Sequence, residues 1–294
     1  MAGTAERTLD TGTDDVLARV EDGVGVIVLN RPERRNAVAP ETLNTLVKVI
    51  AELEADDSVG ALLLTGAGDA FCAGGDVKGF AARGGAGGGG LTAEERTERQ
   101  LTWQQGIIGR LHAMPKPTIA AVSGAAAGAG LGLALACDLR VGSPKTVMAT
   151  SFLKVALPGD FGTAWLLSRL AGPSRARRLL FSGERLDGQS AYELGLLDWL
   201  VDPEKVVDEA MALAVRLASG PRFALSRMKE NLLDAEKLDL DTAMQREVAR
   251  YIECGTTDEH KEALQAFVEK REPRFAAVRA AGRAAASPAA PASD

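Results

Sequence analysis

The chain has 294 residues, of which 46% are hydrophobic and 25% charged, so it can bury a full core and has an ordinary globular composition. Its formal net charge of -6 would repel a phosphate backbone, so nucleic acid is not expected as a partner. No apolar run approaches the roughly 18 residues of a membrane helix, and the N-terminus lacks a basic stretch followed by an apolar core, so we expect a cytoplasmic protein with no membrane partner. The three cysteines, Cys72, Cys137 and Cys254, form no CxxC pair, which argues against disulfides and against a metal site.

Strand and helix patterns alternate along the first half of the chain. Residues 24–29 and 60–65 are rich in Val and Leu and are bounded by turn-forming residues, which predicts short buried strands. Residues 40–55 place apolar side chains at helical spacing, and a proline suits their first turn. This order predicts an α/β layer fold with buried strands. The remaining predicted elements of this part are strands at 118–122 and 139–141 and a helix at about 130–137.

From about residue 206 onward the strand patterns stop and amphipathic helical patterns follow. We therefore predict an α/β core at 16–205 and an all-helical region at 206–275. The predicted helices of this region lie at 206–218, 222–235, 241–254 and 258–271.

Three segments are expected to lack regular structure. Residues 1–15 are predicted to be a flexible N-terminus, and the glycine run at 84–90 predicts a flexible surface loop. The Ala/Pro/Ser-rich stretch 276–294 has almost nothing to bury, so a disordered tail is expected there.

The first segment with candidate chemistry is FCAGGDVK at residues 71–78, which follows an apolar predicted strand. Its small residues let a ligand approach the backbone, and Gly75, just before a helix start, leaves free N–H groups. Such a turn can bind an oxyanion. The alternative is a tight strand-to-helix turn in which Asp76 is an N-cap residue.

The second segment is PTIAAVSGAAAGAGLG at residues 117–132, where a strand feeds a glycine-rich turn and then a buried helix. The N–H groups near Ala129 carry the partial positive charge of the helix N-terminus, which again suits an anion. A dinucleotide-binding loop is disfavoured because the glycines at 128, 130 and 132 do not give GxGxxG. Close packing of a small-residue helix is the remaining alternative.

Together, and in this order, these segments resemble the enoyl-CoA hydratase/isomerase (crotonase) superfamily over about residues 16–275. The resemblance implies a crotonase-like spiral of ββα units with a helical C-terminal trimerisation region, and self-association as a trimer or hexamer. It also implies an acyl-CoA thioester as substrate, with no separate cofactor because coenzyme A is part of the substrate. The segments that carry it include LNRP at 29–32, NAV at 36–38, FCAGGDVKGF at 71–80, KPTIAAVSGAAAGAGLGLALACDLR at 116–140 and LPGDFG at 157–162.

By this resemblance, the oxyanion hole consists of the backbone N–H groups of Gly75 and Ala129. Removing a proton next to a thioester places charge on its carbonyl oxygen, and each preorganised donor can lower that barrier by roughly 3–4 kcal/mol. Arg34 and Arg35 would face the coenzyme A phosphates, with plain solvation of these side chains as the alternative. The positions that the resemblance assigns to acyl-CoA binding are Arg34, Arg35, Ala37, Ala73, Gly74, Asp76, Val77, Lys78, Gly128, Phe152, Phe267 and Lys270.

Two of these positions lie far from the others in the chain. Phe267 and Lys270 of the last predicted helix would, by resemblance, reach the adenine pocket of a neighbouring subunit. The alternative is an amphipathic helix with one core phenylalanine.

The chain departs from the hydratases of this family, which use two glutamates to orient and activate water. Gly132 and Ser151 occupy those two positions. A glycine cannot exchange protons, and a serine without an adjacent base is a poor acid or base, so efficient hydration is not expected. The smaller side chains would enlarge the acyl pocket for a branched, cyclic or aromatic acyl group.

Asp160 is the acid that remains, at the position that matches the catalytic aspartate of dienoyl-CoA isomerases. In an apolar pocket beside Phe152, Phe161 and Trp165, burial would raise its pKa toward the range useful for proton transfer. One carboxylate suffices for a 1,3-proton shift, so we predict an isomerase-like enzyme with Asp160 as acid and base. The alternative role for Asp160 is a turn residue or helix cap before Thr163.

Other functions were weighed against this one. Hydratase or lyase activity could use a different acid, such as Glu94, Glu95 or Glu98. Loss of both glutamates also fits a non-catalytic acyl-CoA-binding protein. Dehalogenation is disfavoured because Phe152 and Gln105 stand where 4-chlorobenzoyl-CoA dehalogenases have a tryptophan and a histidine.

Overall fold

The computed structural model describes residues 6–82 and 90–286, so most of the predicted loop at 84–90 lies outside the described residues. No helix in these two ranges is long and apolar enough to cross a membrane. The strands are β1 (Arg7–Leu9), β2 (Val16–Glu21), β3 (Val24–Leu29), β4 (Ala61–Gly66), β5 (Ala70–Cys72), β6 (Thr118–Ala121), β7 (Ala125–Ala127), β8 (Leu139–Gly142), β9 (Val147–Ala149), β10 (Arg185–Asp187) and β11 (Trp199–Leu200). The helices are α1 (Pro40–Ala55), α2 (Val77–Ala82), α3 (Ala93–Gln104), α4 (Arg110–Ala113), α5 (Ala129–Ala136), α6 (Thr163–Leu170), α7 (Pro173–Ser182), α8 (Gly188–Glu193), α9 (Val206–Ser219), α10 (Arg222–Ala235), α11 (Leu240–Gly255), α12 (Asp258–Glu269) and α13 (Phe275–Ala286).

The described strands form two sheets, and both contain parallel pairs, which confirms the predicted α/β class. The larger sheet follows the order β1-β2-β3-β4-β6-β8-β11, and the smaller follows β10-β9-β7-β5. Three successive units each place one strand in the larger sheet and one in the smaller, and then add a helix. These units are β4-β5-α2, β6-β7-α5 and β8-β9-α6.

This repeat brings the two glycine-rich turns to the same edge of the smaller sheet. The β5–α2 and β7–α5 connections contain the two candidate oxyanion segments, and β5 pairs with β7 in parallel. Because the carboxyl ends of parallel strands meet at one sheet edge, the turns that follow them become neighbours.

The larger sheet is covered on both faces. Strand β4 is buried at every position, as expected for a strand between two layers. Helix α9 covers one face of this sheet and is therefore part of the α/β core. The boundary predicted at residue 205 instead assigns it to the helical region. The second apolar face of the sheet has to be buried, and α9 supplies the matching side chains. They are Val206, Ala210, Leu213, Ala214 and Ala218, packed on Val24, Val26, Ala61, Leu63, Ile119, Ala121 and Val141.

Parts of the two ends for which the sequence predicts no regular structure form a strand and a helix, while residues 1–5 and 287–294 lie outside the described residues. In the N-terminal stretch 1–15, residues Arg7–Leu9 pair with β2 in an antiparallel ladder. In the tail 276–294, residues up to 286 continue the helix α13, and Arg279 contacts Glu259 at 2.7 Å. Alanine-rich composition suggests disorder, but alanine also has the highest helix propensity, and the Arg279–Glu259 ion pair holds this helix against α12.

Lys229 of α10 fastens the helical region to the sheet. Its side chain is 6% exposed, and its Nζ donates to Asp138 Oδ2 at 2.8 Å and to two main-chain oxygens. Asp138 also accepts from the N–H and the hydroxyl of Thr118, at the start of β6. The ammonium and the carboxylate therefore hold α10 against the ends of β6 and β8.

Replacing this lysine, in Lys229→Met, should lower the free energy of unfolding by about 2–3 kcal/mol because the Asp138 carboxylate loses its cation. The cost stays below that of a fully buried pair, since the Asp138 side chain is 30% exposed. Urea denaturation at neutral pH measures the loss. Lys237→Met removes an exposed cation just after the same helix and should change stability by less than about 0.5 kcal/mol. Equal losses in the two variants would contradict the role of Lys229.

Candidate active site

The two candidate oxyanion segments lie side by side. A Cβ atom added at Gly74 would lie 2.8 Å from the Ala127 carbonyl oxygen and 3.6 Å from the Ala129 nitrogen. Gly74 and Gly128 have φ angles of +101° and +54°. Glycine adopts such conformations at low cost and other residues do not, so the close approach of the two turns depends on these two positions.

Two backbone N–H groups are open where the turns meet. The N–H of Val38 donates to the Gly74 oxygen, and the Val38 oxygen accepts the N–H of Asp76. The N–H of Gly75, which lies between these two bonds, therefore points away from Val38. Ala129 is the first residue of α5, and the first N–H groups of a helix have no acceptor within it. Neither N–H donates a hydrogen bond to another described residue. Both can therefore donate to an oxyanion.

Asn36 anchors the turn that carries Arg34 and Arg35. Its side chain is 2% exposed, its Oδ1 accepts a main-chain N–H, and its Nδ2 donates to two main-chain oxygens of the 67–70 loop. The oxygen of Arg35 in turn accepts the N–H of Ala73. The amide thus locks this turn against the first oxyanion segment. Sequence reasoning missed this role, because a single buried amide leaves no local pattern.

The side chain of Asp76 is occupied within the protein. Its Oδ1 accepts the N–H of Gly79 at 3.0 Å in the first turn of α2, and its Oδ2 lies 3.4 Å from an Arg31 nitrogen. The hydrogen bond from Gly79 and the Arg31 guanidinium hold the pKa of this carboxyl below its usual range. The N-cap interpretation of Asp76 is confirmed. Exposed members of the assigned acyl-CoA set in this region are Arg34, Arg35, Val77 and Lys78, whereas Ala37 is buried and Ala73 half-buried.

The space beside Gly132 is filled, which corrects the expectation of an enlarged acyl pocket there. A Cβ atom at this position would lie 2.6 Å from the Phe161 oxygen and 2.7 Å from the Phe161 Cβ. Phe161 is 2% exposed and has a φ angle of +51°. The turn that carries Asp160 therefore lies directly on α5, one turn from Ala129, and leaves no room for a longer side chain at Gly132.

The carboxylate of Asp160 is held by neutral donors. Its Oδ1 accepts the N–H of Phe161 at 2.8 Å, and its Oδ2 accepts from Gln100 Nε2 at 2.6 Å. The α6 N-terminus is capped instead by the Asp160 main-chain oxygen, which accepts the N–H and the hydroxyl of Thr163. The side chain is thus not a helix cap. Its second oxygen contacts Gln100 of α3.

Burial raises the pKa of Asp160 above its ordinary value. Hydrogen bonds from Phe161, Gln100 and Gln104 act in the opposite direction without cancelling the effect of burial. No cationic side chain of the described residues contributes to this balance. A half-buried carboxyl of this kind can exchange a proton closer to neutral pH than an exposed one can.

The aromatic side chains that the sequence predicts around Asp160 differ in burial. Phe152 is buried, and its ring lies 3.9 Å from the position of a Cβ atom at Gly128. Trp165, which was expected beside Asp160, is partly exposed and packs edge-to-face on His112 with ring centroids 5.1 Å apart. Phe152 and Phe161 are therefore the aromatic residues that the structure places in the site.

Phe267 and Lys270 lie at the end of α12. The Phe267 side chain is 83% exposed, so the alternative of a core phenylalanine is wrong. Lys270 is exposed and ends the helix with a φ angle of +54°. Neither residue contributes to the site of its own chain as the structure describes it, and a role in a neighbouring subunit stays a prediction.

The alternative acids on α3 are exposed. Glu95 accepts the N–H of Thr92 at 2.7 Å and closes a capping box at the start of this helix. Glu98 stands two residues before Gln100, and residues two apart on a helix do not share a face. The face of α3 that meets Asp160 therefore carries amides and not carboxylates.

Metal chemistry and thiol chemistry find no support in the described residues. Within 6–82 and 90–286, no three His, Cys, Asp or Glu side chains cluster as a metal site. Cys72 lies within the first oxyanion segment, but burial raises the pKa of its thiol to about 12. A thiol of that pKa is not a nucleophile at neutral pH.

Comparison with known proteins gives one consistent result. A family model described as enoyl-CoA hydratase/isomerase matches residues 19–278. The chain is 37% identical over 262 residues to the 1,2-epoxyphenylacetyl-CoA isomerase of Escherichia coli (strain K12), covering 88% of this chain and 97% of that protein. It is 32% identical over 266 residues to the short-chain-enoyl-CoA hydratase of Clostridium acetobutylicum, covering 88% and 96%. An enoyl-CoA hydratase structure from Polaromonas sp. JS666 aligns with a TM-score of 0.81 at 30% identity, covering 88% and 98%.

Proposed function

The chain belongs to the enoyl-CoA hydratase/isomerase family of enzymes, and on this basis we propose that it binds an acyl-CoA thioester and shifts a double bond through an enolate. The observation that carries the proposal is the single half-buried carboxylate of Asp160, held by neutral donors on a turn that touches α5. The same helix begins at Ala129, one of the two open N–H groups. Base and oxyanion donors are therefore connected through α5.

The proposed reaction needs one base and one oxyanion site. The thioester oxygen accepts hydrogen bonds from the N–H groups of Gly75 and Ala129, and Asp160 removes a proton from one carbon of the acyl chain. The resulting enolate is stabilised by the two donors, at roughly 3–4 kcal/mol each. Asp160 then returns the proton to a different carbon, so the double bond has moved and the carboxylate is regenerated.

The site favours a proton shift over hydration because hydration needs a second group that activates water. Gly132 cannot be that group, and the Phe161 backbone fills the place of a longer side chain. Ser151, at the position that the resemblance assigns to the other glutamate, carries a hydroxyl and no carboxylate, so it is a poor acid or base. Of the three proteins compared above, one is named an isomerase and two are named hydratases, so hydration is the competing outcome in the test.

Hydrogen exchange with the solvent tests the proposal. Purified protein is incubated in deuterated water with straight-chain, branched, cyclic and aromatic unsaturated acyl-CoAs, and deuterium at the α and γ carbons is followed by NMR. We expect exchange together with a product whose double bond has moved. Absence of exchange with every substrate would contradict the proposal. Rapid water addition to crotonyl-CoA would favour a hydratase, and tight binding by calorimetry without turnover would favour a non-catalytic homologue.

We further propose that exposed cations bind the coenzyme A moiety. Arg34 and Arg35 are exposed on the turn that Asn36 holds against the first oxyanion segment, and Lys78 is exposed within that segment. Their positive charges suit the phosphates of coenzyme A. Phe267 and Lys270 would complete the adenine site from a neighbouring subunit, which requires self-association.

An exposed apolar face on α11 and α12 supports self-association as a trimer or hexamer. Its members on α11 recur at helical spacing and form a stripe that nothing in the described chain covers. Analytical ultracentrifugation should therefore give a trimer or hexamer. The exposed apolar side chains of this face are Leu240, Met244, Val248, Tyr251, Ile252, Leu264, Phe267 and Val268.

A charge placed in this stripe should break the assembly. Ile252→Glu buries an unpaired carboxylate in the interface and should shift the sedimenting species to monomer at micromolar concentration. Val207→Glu, a matched change at an exposed position of α9, should leave the assembly intact. A wild-type monomer, or an unchanged assembly in Ile252→Glu, would contradict the assignment of this face.

A further inference from the structure

Two amide side chains of α3 face the candidate base. Gln100 and Gln104 stand one helical turn apart, and positions four apart share a helix face. Gln100 Nε2 lies 2.6 Å from Asp160 Oδ2, and a hydrogen bond from Gln104 also lowers the pKa of Asp160. The other oxygen, Oδ1, is held by the N–H of Phe161. Both oxygens of the carboxylate are thus fixed in direction by neutral donors.

Helix α3 is held in the orientation that this contact requires. Trp103 is buried and donates from Nε1 to Asn44 Oδ1 of α1 at 2.7 Å. The next turn, Gln105–Gly109, is π-helical, and a Cβ atom at Gly106 would lie 3.0 Å from Val47 of α1. Single π-helical turns inside helices recur at functional sites, where they adjust the direction of side chains. The amide face of α3 is therefore a fixed part of the site.

We propose that Gln100 is a positioning residue for proton transfer: its amide orients the Asp160 carboxylate and favours the ionised form that acts as base. This inference rests on the proposed isomerase function. A neutral donor suits the task, because a cation at this place would pull the pKa of Asp160 down and weaken the base, whereas an apolar side chain would leave it protonated. An amide lies between these limits.

Two substitutions at Gln100 should shift the pKa of the base, Asp160, in opposite directions. Gln100→Met removes the donor at similar length, so kcat for isotope exchange should fall about 10-fold with little change in KM, and the rising limb of the pH profile should move up by about one unit. Gln100→Lys places a cation there and should move the same limb down. A merely structural role would not shift the limb in opposite directions. Gln189→Met, which removes an exposed amide–carboxylate contact with Glu193 on α8, is the matched control and should leave the profile unchanged.

A second readout needs no substrate. Carbon-13 NMR of the labelled Asp160 carboxyl, identified by its loss in Asp160→Asn, gives the pKa in the full-length protein. We expect the pKa to rise in Gln100→Met and fall in Gln100→Lys. An unchanged carboxyl titration and an unchanged pH profile in both variants would overturn the inference.

The two proposals fail separately. If the wild-type protein exchanges hydrogen and Asp160→Asn does not, but Gln100→Met matches the wild type, then the positioning role alone is wrong. If the wild-type protein fails to catalyse hydrogen exchange with any of the acyl-CoAs, the proposed function is wrong, and the positioning role that rests on it is overturned as well. In that second case the carboxyl titration still shows whether Gln100 controls the ionisation of Asp160.

Discussion

Asp160→Asn should lower kcat for isotope exchange by about 10³-fold, because asparagine keeps the shape of the side chain but cannot take up a proton. The main-chain oxygen that accepts from Thr163 is unaffected, so the cap of α6 remains. Acyl-CoA affinity should change little, since the open N–H groups and the exposed cations are untouched. Exchange is measured by NMR in deuterated water and affinity by calorimetry.

The stability of the Asp160→Asn variant shows whether lost activity comes from the missing base or from a damaged fold. Because the folded pKa of Asp160 is raised, its favourable contribution is present below the unfolded pKa and is lost as the pH rises through the folded pKa. At pH 8 the Asp160→Asn variant should therefore be at least as stable as the wild type. Asp239→Asn is the matched control: it changes an exposed N-cap residue of α11 to another good cap and should keep full activity. Full activity in Asp160→Asn would refute the mechanism.

Gly132→Glu, which restores the first glutamate of the hydratases, should destabilise the protein by about 3–5 kcal/mol and should not create hydratase activity. The new Cβ would lie 2.6 Å from the Phe161 oxygen, so the turn that carries Asp160 has to move. Overpacking of this kind typically costs about 1–3 kcal/mol, and the carboxylate adds the cost of a buried charge without a cation. Urea denaturation and a crotonyl-CoA hydration assay measure the two effects.

Two further variants calibrate this result. Gly132→Ala adds only the Cβ and should lose about 1–3 kcal/mol, together with some exchange activity because Asp160 is displaced. Gly282→Glu makes the same large change on α13, where a Cβ atom meets nothing within 4 Å, and should cost less than about 1 kcal/mol. A stable Gly132→Glu protein that hydrates crotonyl-CoA would show that the turn of residues 159–162 can move aside.

The effects of both substitutions depend on the contact between the turn of residues 159–162 and helix α5. By the resemblance drawn from the sequence, Gly132 stands where the hydratases have a glutamate, and the Phe161 backbone next to Asp160 lies against this glycine. A side chain added at Gly132 would therefore also displace the turn that carries Asp160.

The sequence by itself determined the α/β class and the family, and the crotonase-like fold it predicted is confirmed by the match to solved structures. Long elements with a clear period were also predicted well: α1 and α10 have the predicted bounds. A buried strand or an amphipathic helix reveals itself through local spacing of apolar residues. Small residues at close backbone contacts, as at Gly74 and Gly128, are local signals of the same kind.

Only the tertiary structure decided the rest. Strands β5, β7 and β9 have three residues each, too few for a period to show, and they exist because parallel neighbours pair with them. The filled space at Gly132, the exposure of Phe267 and the contact of Gln100 with Asp160 across 60 positions depend on packing between distant segments. From sequence alone, two glutamines one turn apart on a helix cannot be distinguished from a solvent-exposed face. Only the fold shows that a carboxylate packs against them. Local patterns determine elements, whereas the identity of a proton-transfer site depends on which elements meet.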